Sequence, residues 1–168
     1  MPITQKGDAF TFDENFFIVS KTDLKGHITY ANELFIKISG YSEKELLGAP
    51  HNIVRHADMP KAIFKLVWDK AQAGDEIFAY IKNRTKSGHY YWVHAYITPI
   101  FDTKTHAIIG YHSVRRAPNP KGIAAIEPLY QKMLQAEQTG GIQHSLSYLN
   151  TMLSDLKVSY AQFIFSHE

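Results

Sequence analysis

Cysteine is absent from the 168 residues, which removes disulfides, thiolate nucleophiles and cysteine-based zinc sites at once. Long apolar runs are missing too: none approaches the roughly 20 residues needed to cross a bilayer, and no charged-then-apolar leader opens the chain. A cytoplasmic protein without membrane insertion is therefore expected. An excess of one charge sign is also lacking, since Lys plus Arg total 18 against 16 Asp plus Glu, a net charge of +2. With no basic run interleaved with aromatics, nucleic acid is not an expected partner. Nucleophile-elbow glycines, a phosphate loop and paired metal carboxylates do not occur, and no two histidines stand at the i, i+4 spacing of a helical zinc site, so an enzyme is not expected.

Hydrophobic residues make up 45% of the chain and charged residues 20%, which describes a folded domain. Aromatic residues reach 13%, enough for a pocket that holds something flat or equally for a well-packed β core. Residues 1–15 show no clear period and read as a lead-in segment. Phe16 to Thr22 is dense in β-formers, Asp23-Leu24-Lys25-Gly26 supplies turn chemistry, and His27 to Tyr30 resumes as a strand. Asn32 then opens a short amphipathic helix that Gly40 ends. Ser42-Glu43-Lys44-Glu45 is a capping box for a second helix, which runs into Gly48. A longer helix is expected from Pro60 to Ala73, with Ile63, Phe64, Val67, Trp68 and Ala71 on one face. Three strands follow, at 77–82, 90–100 and 108–114. Grouped strands with helices inserted between them argue an α+β domain over residues 16–116: a five-stranded antiparallel sheet with helices on one face and a ligand cavity between the layers.

Ala117-Pro118-Asn119-Pro120 marks the boundary to a C-terminal helical extension, residues 117–168, in which Pro128 should kink the helix and Gly140-Gly141 interrupts it. Leu146, Leu149, Leu153, Leu156, Tyr160 and Phe163 alternate three and four apart. That seam suits pairing between chains, hence a homodimer, or a single helix folding back on its own domain.

The stretch from His51 to Pro60, His-Asn-Ile-Val-Arg-His-Ala-Asp-Met-Pro, concentrates chemistry. Arg55 keeps its charge and offers a planar fork of donors to phosphate or carboxylate. His51 and His56 donate or accept according to their surroundings. Asp58 followed by Pro60 reads as a helix start, a carboxylate cap with proline in the first turn, and such a mouth beside an arginine suits a phosphate. A polar loop closed by an Arg55–Asp58 ion pair is the competing reading.

Residues 21–134 resemble the PAS domain of bacterial aerotaxis (energy-taxis) receptors. The resemblance rests on Thr22-Asp23-Leu24, Ala31-Asn32, Ser39-Gly40-Tyr41, Pro50-His51-Asn52, Val54-Arg55-His56, Asp58-Met59-Pro60-Lys61-Ala62, Lys82-Asn83-Arg84, Tyr91-Trp92-Val93 and Glu127-Pro128-Leu129-Tyr130. It implies a PAS fold and non-covalent FAD, with Asn32, His51, Arg55, His56, Asp58, Trp68 and Asn83 at the flavin-associated positions. One departure is Ala57, which stands where the family has proline and frees the backbone between His56 and Asp58. The family's membrane anchor and signalling domain have no counterpart, so a PAS-only protein acting through a partner such as a chemoreceptor, a histidine kinase or a cyclase is expected. Photochemistry through a covalent cysteine bond is excluded by composition. Haem b remains an alternative, with His51, His56, His94 and His112 as axial candidates, and a ligand-free dimerisation module is the third. On the flavin reading Trp68 lies against a ring system or is a core tryptophan, Asn32 and Asn83 read the pyrimidine edge (Asn32 or else caps its helix), and Arg55 faces the pyrophosphate or the charge of reduced flavin. A change in Asn83's hydrogen bonds would then strain the sheet and pass through Ser113-Val114-Arg115 to the C-terminal helices.

Overall fold

A computed structural model describes residues 3–167. Its strands are β1 (Ile3–Lys6), β2 (Ala9–Phe12), β3 (Ile18–Thr22), β4 (Ile28–Ala31), β5 (Ile77–Arg84), β6 (Tyr90–Phe101) and β7 (Ile108–Arg116). The helices are α1 (Glu33–Ser39), α2 (Glu43–Leu46), α3 (Lys61–Gln72), α4 (Pro120–Leu156) and α5 (Tyr160–Phe165), with a 3-10 turn at His51–Val54. The local chemistry read from the sequence sets the early helices. Asn32 accepts from the Phe35 amide to start α1, and Gly40 ends it at φ +74°. Ser42 and Glu45 close a reciprocal capping box on α2.

Five strands form the expected antiparallel array in the order β4-β3-β7-β6-β5. The sheet is larger than expected, because residues 3–12 are not a featureless lead-in. They form a hairpin whose two-residue loop is Gly7-Asp8, and β2 adds to the start of β6 in parallel through Ala9–Tyr90 and Phe10–Tyr91. Each strand is four residues long, too short for a periodic signal, although Gly-Asp between two β-formers is a recognised hairpin loop.

Helices α1 to α3 cover one face of the sheet, as expected. The extension covers the other. Phe78, Tyr80, Trp92 and Tyr96 stand on that outer face of β5 and β6. Tyr130 of α4 stacks on Trp92 and donates to the Tyr80 carbonyl oxygen at 2.7 Å, while Phe165 of α5 meets Phe78 edge-on. The leucine seam is used here. Leu149 and Leu153 are buried within the chain's own core, Leu146, Tyr160 and Phe163 pack against it and Leu156 is exposed, so in this conformation most of the seam is engaged by the chain itself. The reason is that an aromatic sheet face must be covered by something, and heptad-like spacing serves a helix folding back as well as a coiled coil. Helix α4 continues through Pro128 and, as expected of the glycine pair, breaks at Gly141, whose backbone (φ 71°, ψ −166°) is open essentially only to glycine. No helix among the described residues is long and apolar enough to cross a membrane.

Candidate functional site

A cavity of about 290 Å³ lies between α3 and the inner face of the sheet. The period-two alternation of each strand decides what faces it: Ser20 and Thr22 from β3, Ile81 and Asn83 from β5, Ile97 from β6, and Tyr111, Ser113 and Arg115 from β7. From above, α3 contributes Phe64, Val67, Trp68 and Ala71, and the 3-10 turn contributes His51. Beside it opens a cleft of about 660 Å³ lined by Arg55, His56, Ala57, Lys61, Arg84 and Lys86, with Glu137 of α4 as the only acid among the described residues. Asn52 and Arg55 line both spaces.

Five of the seven residues singled out in the sequence stand at these spaces. Trp68 forms one wall of the inner cavity, edge-on to Tyr111 at 4.9 Å. Its indole also lies so close to Gly26 that a Cβ there would sit 2.9 Å from a ring carbon, and Gly26 has φ +83°. Asn83 is 4% exposed, faces the cavity, and bridges through its backbone to Arg55. The Arg55 guanidinium lies 4.2 Å above the Phe64 ring, and burial lowers its pKa while the Glu137 charge opposes that shift. His51 stacks near Phe35, and its Nε2 is 3.1 Å from the Ser20 hydroxyl. Burial, with the charge of Arg115 adding to it, pushes the His51 pKa down to about 3, so this ring is neutral. His56 lines the outer cleft, and its Nδ1 accepts from the Asp58 amide at 3.1 Å.

The other two residues have different positions. Asn32 lines neither space. Its side-chain oxygen accepts from the amides of Phe35 and Val19, and its amide nitrogen donates to the Phe17 carbonyl, so it ties α1 to β3 as a cap. Asp58 is not a cap and does not pair with Arg55. It accepts from Lys82 Nζ at 2.7 Å, and the residue at the start of α3, Pro60, makes no side-chain cap. Lys82 is nearly buried against the Tyr90 ring and so requires a counter-charge, which draws Asp58 away from the helix.

The amide at the α3 mouth is capped from a distance of 75 residues along the chain: Ala62 N–H donates to the Glu137 carboxylate at 2.8 Å. The anion-friendly helix start read from the sequence is thus real, and α4 supplies the anion. Replacing Glu137 with alanine should loosen α4 from α3 at a cost of about 1 kcal/mol, read as faster amide exchange around Leu134 without a change in the sheet.

Sequence reasoning missed Arg115 and Ser20 as site residues. Arg115 is 1% exposed, the largest fully buried side chain, and its Nη2 donates to the Ser20 hydroxyl. The available signal was strand alternation, which places Arg115 on the same side as Tyr111 and Ser113. Among the described residues, no cluster of three or more His, Asp or Glu side chains is arranged to hold a metal.

Residues 28–113 match the sequence model of the PAS fold. The chain is 42% identical over 137 residues to the aerotaxis receptor of Escherichia coli, covering 82% of this chain and 26% of the receptor. It is 31% identical over 81 residues to the biofilm dispersion protein of Pseudomonas aeruginosa, covering 48% of this chain and 19% of that protein. A light-oxygen-voltage domain studied with a flavin analogue is 20% identical and superposes with a TM-score of 0.57, over 66% of this chain and 82% of that one. The chain therefore spans about a quarter or less of the length of these two curated relatives.

Proposed function

Because this chain belongs to the PAS family, we propose that it is a cytoplasmic redox or oxygen sensor of the energy-taxis type, holding FAD non-covalently and relaying flavin state through its C-terminal helices to a signalling partner. The observation that carries the reading is the pairing of two unlike spaces. The inner cavity, walled by Trp68, Tyr111 and Phe64, suits a flat conjugated ring, and its volume is at the lower end for a small-molecule pocket. The outer cleft holds four cations against one acid, which suits a diphosphate. Arg55 and Asn52 stand where the two meet, so one extended ligand with a ring at one end and phosphates along its length fits both. The relationship to the aerotaxis receptor supports the same reading.

Bound there, FAD supplies redox chemistry whose charge and protonation change on reduction. The chain's own part is orientation and response. Asn83 offers both a donor and an acceptor to a ring edge, Trp68 and Tyr111 exclude water, and Arg55 meets the phosphates in competition with Glu137. An altered partner for Asn83 would reach Arg55 through their backbone bridge and then, through charge alone, Glu137 on α4, a second route beside the one through β7. Undocking of α4 and α5 would free Leu149, Leu153 and Ile164 for a second copy or for a receptor or kinase. This requires the two flavin states to interact unequally with these residues.

Untagged protein should show absorbance bands in the blue and near-ultraviolet and release FAD on denaturation, identified by mass spectrometry. Trp68→Ala and Asn83→Ala should each weaken FAD binding at least tenfold, about 1.4 kcal/mol. A sharp Soret band would replace FAD with haem b, for which His51 and His112 are the cavity histidines. Steady NAD(P)H turnover would make the protein an oxidoreductase, and colourless, folded protein that rejects FAD would leave an interaction module. Chemical reduction that leaves hydrogen exchange in residues 117–165 unchanged would end the relay.

A further inference from the structure

Arg115 carries an unexplained charge. It is fully buried, and its guanidinium lies 4.5 Å from the Phe35 ring centre. One of its nitrogens reaches the Ser20 hydroxyl, while Nε and Nη1 have no hydrogen-bond partner. A buried cation left unpaired costs several kcal/mol, and native proteins ordinarily satisfy such groups. Among the described residues, no carboxylate lines the cavity to compensate it. The titratable groups that face it cannot supply an anion near neutral pH. His51, from the 3-10 turn, and His112, its neighbour on β7, both have lowered pKa values, and burial pushes the Tyr91 phenol of β6 up. Burial brings Arg115 itself down only to about 10, which leaves it charged.

We propose that Arg115, steered by Ser20, is the cavity's anion receptor: its Nε and Nη1 edge takes an oxygen or nitrogen of the ligand's ring and favours the form of that ring that bears negative charge. The neutral His51 fixes Ser20 as an acceptor for Arg115 without adding a second cation. On the FAD reading, on which the redox arm of the test rests, Arg115 holds reduced flavin as its anion. Reduction by two electrons then takes up one proton rather than two, and the bound flavin's potential rises above that set by an uncharged site.

The test has two arms. In ligand-free protein, Arg115→Met removes an uncompensated charge while keeping the chain's length, so the melting temperature should rise, and Arg115→Lys should not reproduce the rise. A fall with Met would show that Arg115 is satisfied within the protein, which overturns the assignment whether or not FAD binds. The second arm titrates FAD-loaded protein with dithionite and compares the parent with Arg115→Met, which should weaken reduced FAD more than oxidised FAD. The preference for reduced over oxidised FAD should drop at least tenfold, a fall in midpoint potential of 29.6 mV per factor of ten. The potential should also depend more steeply on pH, as the second proton is taken up. Equal weakening of both redox forms, or an unchanged potential and pH slope, would overturn the proposal. A raised melting temperature in a parent protein that rejects FAD would keep the receptor and discard the flavin.

Discussion

Replacing Gly110 with alanine is expected to destabilise the domain by about 3 kcal/mol or more, at the upper end of overpacking costs. Gly110 sits inside β7, opposite Ile100 of β6, and is buried. A Cβ built on it would stand 2.3 Å from the Thr22 carbonyl oxygen and 3.5 Å from the Thr22 carbonyl carbon. The obstacle is backbone, so no rotamer change relieves it. The strands must separate, and the β3–β7 register at Thr22–Tyr111 lies immediately beside the clash. Since Ser20, Thr22, Tyr111, Ser113 and Arg115 all reach the inner cavity from these two strands, ligand binding should fall with stability. Gly48→Ala is the control. Its φ of +81° carries a backbone cost of about 1 kcal/mol, but nothing stands within 4 Å of the added methyl. Urea midpoints of the two variants should therefore differ clearly, and equal midpoints would mean that β3 and β7 are not in this register.

Acidification should weaken the ligand-free fold through His51 before most carboxylates titrate. Its pKa is held near 3 in the folded protein by burial and by Arg115, against about 6.5 in the unfolded chain. Between those values the unfolded state binds a proton that the folded state refuses, so stability falls as pH falls. The contribution is complete above about pH 6.5, and its loss approaches about 1.4 kcal/mol per pH unit, reaching an upper bound of about 5 kcal/mol near pH 3. His51→Asn keeps a polar side chain beside Ser20 and cannot titrate. The difference in unfolding free energy between parent and variant should therefore shrink or reverse as pH drops from 7 to 4. A difference constant over that range would place the His51 ring in contact with water and dissolve the dry wall behind Arg115.

Much of this architecture was legible because local signals agreed with the tertiary result. Gly40 and the Ser42–Glu45 box sit where they must, and the apolar stripe of α3 faces the cavity with Trp68 in place. The misreadings share one cause: a residue type states what it can bond, whereas the partner is chosen by elements far away in sequence. Asp58 has the position of a helix cap, but Lys82, 24 residues later, claims it. The α3 mouth attracts an anion, but that anion is Glu137. Asn32 was open to two roles, and the helix it precedes took it. Arg115 is the converse case, an ordinary-looking arginine in a strand whose importance appears only when its neighbours fail to neutralise it. Alternation gave its side but not its isolation.

The break at Gly141 has a mechanical consequence. The segment before it is fastened to the sheet by Tyr130 and to α3 by Glu137, and the segment after it is held separately through Leu149 and Leu153. The two segments therefore meet at a single glycine that serves as a hinge. A shift of the first segment at Glu137 swings the second about Gly141 and loosens the seat of Leu149 and Leu153, so a small movement at α3 becomes a larger one at the tail.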